Sequence, residues 1–171
     1  MTRSEPIPWY NPAIDGEAWM THLETTKLQE LVQSRHQCTY LEIGTHHGHS
    51  LWSVKDFVAT AHAIDHHAFP YPMQLDQQSN SRIMFYKAKA EKMAHIFKNH
   101  SLDVLFIDGN HRRVTLDFAL YFTKVKKGGL IIFHDYNQQG FPWVTSLVDS
   151  LEHEFECNFL DSLAWFTKTH E

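Results

Sequence analysis

The stretch LEIGTHHGHS, from Leu41 to Ser50, runs from strand-forming residues directly into a loop that contains two glycines. Glu42 precedes the loop, and Gly44 and Gly48 stand within it. Glycines let a backbone approach a bound molecule closely, and the first turn of a following helix offers free N–H groups to a carboxylate. The stretch therefore predicts a strand–loop–helix unit that binds a ligand beyond the end of the strand.

Further apolar runs follow along the chain, and helical patterns separate them. The expected strands are CTYLEI, AHAID, RIMFYKA, LDVLFID and GLIIFHD, and the C-terminal segment CNFLDSLAWFTKT has the pattern of a hairpin. Nearly continuous apolar strands that alternate with helices are typical of a parallel sheet covered on both faces. We therefore predict a doubly wound α/β fold with a mostly parallel, Rossmann-like, seven-stranded sheet and an antiparallel C-terminal hairpin.

The length of 171 residues suits one hydrophobic core, so residues 1–171 are expected to form a single domain. Prolines at three positions of residues 1–12 predict an irregular N-terminal arm, and residues 38–168 predict the Rossmann-like core. Residues 14–35 have the apolar spacing of an amphipathic helix. Residues 66–80, which contain two prolines, predict a long loop.

Two adjacent glycines, Gly128 and Gly129, follow the segment VTLDFALYFTKV. Glycine often stands just after the last turn of a helix, because it adopts the left-handed conformation without strain. The pair is therefore expected to end that helix before the fifth strand begins.

The formal net charge of −5 argues against a general nucleic-acid-binding surface, which would be basic. No apolar run approaches the length of about 18 residues that a membrane span needs, and the two cysteines do not form a disulfide framework. We expect a soluble cytoplasmic protein that binds neither membrane nor nucleic acid. Its oligomeric state stays open.

Asp65 ends the second expected strand, at the same edge of the sheet as the glycine loop. An acid at that position can accept hydrogen bonds from ribose hydroxyls. The loop lacks both the Lys-Ser/Thr of a phosphate-binding loop and the three-glycine dinucleotide fingerprint. A ligand with a ribose and a carboxylate fits these features, whereas the alternative is a loop whose glycines serve turn geometry alone.

The segments LEIGTHHGHS, AIDHH, LDVLFIDGNH, with Asp117 six residues after it, and KKGGLIIFHDYN occur in that order. With them the chain resembles the class I S-adenosylmethionine-dependent methyltransferases, and most of all their small-molecule O-methyltransferase branch, which acts on sugars and macrolides. The resemblance implies that S-adenosylmethionine is bound by Glu42, Gly44, Thr45, Gly48, Ser50, Asp65, Ala90 and Asp108. Lys89 departs from the family, which often has an acidic or small polar residue near adenine, so Ala90 or Glu91 is expected to make that contact.

Asp108 and Asp135 follow the fourth and fifth expected strands. If these strands are neighbours, the two carboxylates stand about one strand spacing of ~5 Å apart and can share a divalent cation, Mg²⁺ or Mn²⁺. His134 would be a third ligand and favours Mn²⁺, Fe²⁺ or Zn²⁺ over Mg²⁺. The alternative is that Asp108 caps a turn and His134 packs in the core without a metal.

His111 lies three residues after Asp108, on the loop above the expected site. Imidazole titrates near neutral pH and can remove a proton from a hydroxyl group, so His111 is the expected general base. We predict methyl transfer to a hydroxyl of a small-molecule acceptor. Two alternatives stay open, namely a nucleoside-binding module without catalysis and a metal-dependent oxygenase-like use of the same fold.

Overall fold

In the computed structural model, which describes residues 19–80 and 82–170, seven strands form one sheet. The strands are β1 (Cys38–Ile43), β2 (Val58–Asp65), β3 (Ile83–Lys87), β4 (Leu102–Ile107), β5 (Val125–Phe133), β6 (Asn158–Leu160) and β7 (Leu163–Thr167). Their order is β3-β2-β1-β4-β5-β7-β6. The first five strands are parallel, and the β6–β7 hairpin joins β5 in an antiparallel arrangement. The predicted fold is confirmed.

Six α-helices accompany the sheet in the described part of the chain. They are α1 (His22–Gln33), α2 (His49–Val54), α3 (Pro70–Gln78), α4 (Ala90–Met93), α5 (Val114–Tyr121) and α6 (Pro142–Leu151). Helix α1 begins at a capping box, in which Thr21 and Glu24 satisfy each other's backbone N–H groups. It therefore starts later than the helix predicted over 14–35; the predicted arm over 1–12 lies outside the described residues.

The sheet separates two hydrophobic clusters, because successive side chains of a strand point to opposite faces. Leu41 of β1 and Leu105 of β4 belong to the cluster that includes residues of α5 and α6. Tyr40 and Phe106, their neighbours in sequence, belong to the cluster that includes residues of α1 and α2. All four side chains are completely buried, which explains why the central strands have no polar face in the sequence.

The prediction of a long loop over residues 66–80 is wrong, because this segment contains helix α3. Pro70 is the first residue of that helix and Pro72 is the third. A proline in the first helical turn lacks only an N–H that would have had no partner in the helix. Two prolines that suggested a loop thus begin a helix.

The prediction that Gly128 and Gly129 end a helix is also wrong. Helix α5 ends at Tyr121, a 3₁₀ turn follows, and both glycines lie inside β5. The pairing of β4 with β5 shifts between Leu102 and Val104, and Gly128 has a φ of 80°. The glycines therefore form an irregularity in a strand, which is the other common use of glycine in such patterns.

The carboxyl ends of β1, β4 and β5 lie side by side, because Ile43 pairs with Ile107 and Ile107 pairs with Phe133. The segments that follow these strands contain Gly44, Asp108 and His134–Asp135. The adjacency on which the predicted acid pair depends is thus confirmed. Among the described residues, no helix is both long and apolar enough to cross a membrane.

We predict that Gly44→Ala strongly destabilises the fold, since Gly44 has a φ of 91° and a Cβ there would lie 2.2 Å from the backbone oxygen of Asp108. Both the strained backbone and the clash oppose folding, so the free energy of unfolding should fall by at least about 2 kcal/mol. Urea unfolding measures this change.

The matched control is Gly140→Ala, because a Cβ at Gly140 meets nothing within 4 Å. Its free energy of unfolding should stay within about 0.5 kcal/mol of that of the unmodified protein. Equal midpoints for the two variants would contradict the close approach at Gly44.

Candidate active site

The glycine loop after β1 is held against the neighbouring strands by backbone hydrogen bonds. The N–H of Gly44 donates to the carbonyl of Ile64 at 2.9 Å, and the N–H of Asp108 donates to the carbonyl of Ile43 at 2.8 Å. The loop then turns into α2 at Gly48, which has a φ of 84°. The first glycine thus permits the close approach of the loop to β4, and the second permits the turn into the helix.

Asp65 stands at the end of β2 with 7% of its surface exposed. Its Oδ2 accepts the N–H of His46, and its Oδ1 accepts the N–H of His67, both at 2.9 Å. Each carboxylate oxygen has a second lone pair for a further donor. Asp65 therefore fixes the glycine loop and can still accept hydrogen bonds from a ligand.

An acid–histidine cluster lies beyond β4 and β5. It consists of Asp108, His111 and Asp135, which can each offer one ligand atom within 4.8 Å of the others. The Nε2 atom of His111 lies 2.7 Å from Oδ2 of Asp135, and the His111 ring stacks on Phe141 at 3.8 Å between centroids. The structure thus brings together the predicted acid pair and the predicted base.

His134 lies beneath this cluster and is only 3% exposed. Its Nδ1 is 3.1 Å from Oδ1 of Asp108 and 3.5 Å from Oδ2 of Asp135. Its Nε2 is 3.6 Å from Oε2 of Glu24, which is longer than a hydrogen bond. Burial alone would lower the pKa of His134, but Asp108, Asp135 and Glu24 outweigh burial and raise it to about 12.

The carboxylates around His134 respond in different directions. Burial raises the pKa of Asp108, although His134 opposes the shift. Burial would also raise the pKa of Asp135, but hydrogen bonds with His111 and His134 outweigh it and lower the pKa. Asp135 is therefore a carboxylate near neutral pH, and the His134 ring beside it is an imidazolium.

Two cavities meet at the carboxyl edge of the sheet. The larger has a volume of about 500 Å³ and extends from the glycine loop past Asp65 to the start of α4. The smaller has a volume of about 190 Å³ and lies over the acid–histidine cluster, next to Trp19 and Met20. Four residues border both cavities, namely Gly44, His46, Asp108 and His111.

A family model described as a methyltransferase domain matches residues 41–136 of the 171-residue chain. The match begins in β1 and ends just after Asp135, so it includes the glycine loop, Asp65 and the acid–histidine cluster. The chain belongs to this methyltransferase family.

Solved structures of methyltransferases share the fold. A candidate O-methyltransferase of Klebsiella pneumoniae is 15% identical, with 93% of this chain and 86% of that chain covered and a TM-score of 0.79. An O-methyltransferase of Bacillus cereus, solved in complex with S-adenosylhomocysteine, is 15% identical over 92% of this chain and 86% of that one, with a TM-score of 0.72. At sequence identities this low, the structural similarity establishes the shared fold alone.

MycE, a methyltransferase of mycinamycin biosynthesis, was solved in complex with Mg, S-adenosylhomocysteine and mycinamycin VI. It is 19% identical, with 90% of this chain and 50% of MycE covered and a TM-score of 0.69. An uncharacterized protein of Acanthamoeba polyphaga mimivirus, R132, is 48% identical over 46 residues. That match spans 26% of this chain and 20% of the viral protein's length.

The residues predicted to bind the cofactor are divided between the two cavities of the methyltransferase domain. Those that border a cavity are Gly44 and Asp108 (both cavities), Asp65 and Ala90 (the larger), and Thr45 and Ser50 (the smaller). His134 and Asp135 border the smaller cavity. Glu42 and Gly48 border neither cavity, so their contribution to the site is indirect.

Glu42 shows what that indirect contribution is. The side chain is completely buried, the Tyr40 hydroxyl donates to its Oε2 at 2.7 Å, and the Ser50 hydroxyl donates to its Oε1 at 2.9 Å. Burial raises its pKa to about 8, although both hydrogen bonds oppose the shift. Glu42 therefore connects β1 to the first turn of α2 and holds Ser50 at the wall of the smaller cavity.

Sequence reasoning assigned no role to several residues that the structure places at the site. His46 borders both cavities, and Arg113 and Asp117 border the larger one. Glu24 faces His134 although it is far away in the sequence. The sequence contained one usable signal for Glu24, the Thr-x-x-Glu pattern of a capping box, but this pattern predicts a helix start and not a partner for a buried histidine.

We predict that the methyltransferase domain loses stability as pH rises because of Glu42. Its pKa is 4.5 in a model peptide and about 8 in the fold, so between these values the folded protein holds a proton that the unfolded chain has released. The contribution is fully present below pH 4.5 and is lost as pH rises through 8. Its full size is on the order of 5 kcal/mol.

Thermal unfolding of the unmodified protein and of Glu42→Gln between pH 4.5 and pH 8 measures this loss of stability. The melting temperature of the unmodified protein should fall relative to that of Glu42→Gln as pH rises, because glutamine does not ionise. Glu30→Gln, at an exposed position of α1, is the control and should run parallel to the unmodified protein. Parallel curves for all three proteins would show that Glu42 is not protonated in the fold.

Proposed function

We propose that the chain transfers the methyl group of S-adenosylmethionine to a hydroxyl group of a small-molecule acceptor. The observation that carries this proposal is the meeting of two cavities at Gly44, His46, Asp108 and His111. A methyl group passes in line between donor and acceptor, so the two molecules must be held in contact. A large and a small cavity that share a wall meet this requirement, with a histidine and an acid at the junction.

The larger cavity is assigned to the methyl donor. Its volume of about 500 Å³ suits a nucleoside with an amino-acid chain. Asp65 would accept the ribose hydroxyls, and the backbone at Gly44 would lie against the sulfonium end. The bound S-adenosylhomocysteine in the Bacillus cereus structure supports this assignment, and the family to which the chain belongs supports the activity.

The smaller cavity is assigned to the acceptor. Trp19, Met20 and several histidine rings give it a partly apolar wall, and its volume of about 190 Å³ suits the reacting end of a small molecule. The macrolide in the MycE complex supports a small-molecule acceptor, and the net charge of −5 supports a partner other than nucleic acid.

We also assign the protein to the cytoplasm and residues 38–168 to the catalytic core.

His111 is assigned as the general base. Asp135 is held as a carboxylate by its lowered pKa and lies 2.7 Å from Nε2 of His111. A carboxylate at Nε2 favours the tautomer with the proton on that atom and leaves Nδ1 free to accept a proton from the acceptor hydroxyl. Phe141 stacks on the same ring and keeps it in position. The chain's own contribution is thus positioning and proton removal.

The acid–histidine cluster also suits a divalent cation. The carboxylate oxygens of Asp108 and Asp135 lie within 4.8 Å of each other, and carboxylates are ligands for Mn²⁺ or Mg²⁺. Asp108 and Asp135 would hold the ion, and His134, whose Nδ1 faces both acids, would bind after losing its ring proton. A bound cation would lower the pKa of the acceptor hydroxyl. The Mg in the MycE complex supports this part of the proposal.

The donor assignment predicts that Asp65→Ala weakens binding of S-adenosylhomocysteine by about 1–3 kcal/mol, because charged hydrogen bonds to the ribose are lost. Isothermal titration calorimetry measures the dissociation constant. Asp56→Ala, at an acid that pairs with Lys55 on the surface, is the control and should leave it unchanged. Equal affinities for all three proteins would remove Asp65 from the donor site.

Binding of S-adenosylhomocysteine by the unmodified protein without methyl transfer to any hydroxylated acceptor would favour a non-catalytic module.

The metal assignment predicts that the unmodified protein binds one Mn²⁺ ion and that Asp135→Asn reduces the affinity at least ~10-fold, because a charged ligand is lost. Electron paramagnetic resonance of free Mn²⁺ measures binding without any enzymatic assay. Affinity should rise with pH, since His134 must release a proton before it can bind the ion.

Asp149→Asn is the control, because Asp149 bonds to the Tyr136 hydroxyl away from the cluster. This variant should bind Mn²⁺ like the unmodified protein. Undetectable Mn²⁺ binding at millimolar concentration across the pH range, with S-adenosylhomocysteine still bound, would show that His134 replaces the cation and that the acids serve the His111 base alone.

A further inference from the structure

Asp117 is a buried acid that neither the fold nor the proposed methyl transfer uses. It lies in the first turn of α5 with 3% of its surface exposed, and it borders the larger cavity. Its Oδ1 atom is buried and has no hydrogen-bond partner among the described residues. Burying a carboxylate without a partner is unfavourable, so a position of this kind points to a missing ligand group.

The charged neighbours of Asp117 leave it unsatisfied. Burial and the carboxylate of Glu91 raise its pKa to about 6, and Arg113 opposes the shift. The guanidinium of Arg113 pairs with Glu91 instead, at 3.1 Å between Nη2 and Oε1. Its Nε atom is also buried and has no hydrogen-bond partner in the described part of the chain. One wall of the cavity thus holds an unsatisfied acceptor and an unsatisfied donor.

Adenine has a matching edge, because its 6-amino group is a donor and stands next to a ring nitrogen that is an acceptor. The rest of this cavity is suited to a flat apolar ring, since Ile43, Ile64 and Ala88 border it. Resting on the proposed function, we propose that Asp117 accepts a hydrogen bond from the 6-amino group of the donor's adenine and thereby selects adenine over other purines.

The side chains after β3 are less suited to this role. The side chain of Lys89 offers only donors and that of Ala90 only a methyl group, although both residues border the cavity. Glu91 borders it too, but its carboxylate already pairs with Arg113. Asp117 is an acid of the same wall whose buried Oδ1 has no partner among the described residues. Hypoxanthine, which has a carbonyl oxygen in place of the amino group, would place that oxygen against the carboxylate and be rejected.

The test compares two ligands that differ only at this edge of the base, in the 6-substituent and the proton on the adjacent ring nitrogen, S-adenosylhomocysteine and S-inosylhomocysteine, by calorimetry. The unmodified protein should bind the adenine compound about 10- to 100-fold more tightly. With the inosine compound the buried carboxylate of Asp117 would have no donor, and leaving a buried acceptor unpaired is costly. Asp117→Ala should bind both compounds with similar affinity. Asp65→Ala is the matched control and should weaken both equally, so that the ratio of the two dissociation constants is preserved.

Asp117→Asn makes the test independent of the folding of the alanine variant, since it has nearly the same shape and no charge. Its preference for the adenine compound should fall at least several-fold, with the fold checked by circular dichroism. An unchanged ratio in both folded Asp117 variants overturns the role of Asp117 and leaves the proposed function standing. Failure of the unmodified protein to bind either compound overturns the proposed function, and the role of Asp117 with it.

Discussion

The backbone at Gly44 lies against the backbone at Asp108, and the site depends on this contact. A single added carbon at Gly44 would lie 2.2 Å from a carbonyl oxygen, so no side chain fits between the ends of β1 and β4. This approach brings the glycine loop to the acid–histidine cluster and allows four residues to border both cavities. The position of the reactive groups is therefore decided by main-chain packing before any side chain contributes.

The charged groups around His134 also hold parts of the site in place. An imidazolium beneath Asp108 and Asp135 offsets their repulsion and keeps two half-buried acids together. Glu24 faces the other side of the ring and also accepts the backbone N–H and the hydroxyl of Ser162. Burial alone would raise the pKa of Glu24, but these partners lower it to about 2. Helix α1 and the β6–β7 turn are thereby connected electrostatically to the acid–histidine cluster.

The central strands and the acid pair were predictable from sequence for one physical reason. Strands buried on both faces need apolar residues throughout, and parallel neighbours end at the same edge, so Asp108 and Asp135 had to lie close together. Helix α3 was not predictable, because the prolines that break a helix also suit its first turn. Asp117 belongs to the pattern that carries the family resemblance, but neither its contacts nor those of Glu24 were predictable, since an acid in a helix does not report from sequence what it faces.

The wall that the two cavities share limits how this protein can diverge. Under the proposed function, a change at Gly44, His46, Asp108 or His111 would alter the surroundings of both the donor and the acceptor at once. New acceptors would then be reached most easily through the outer rim of the smaller cavity, where Trp19 borders it and is 67% exposed. The proposal therefore places changes of acceptor specificity at the periphery and leaves the four shared residues as a unit.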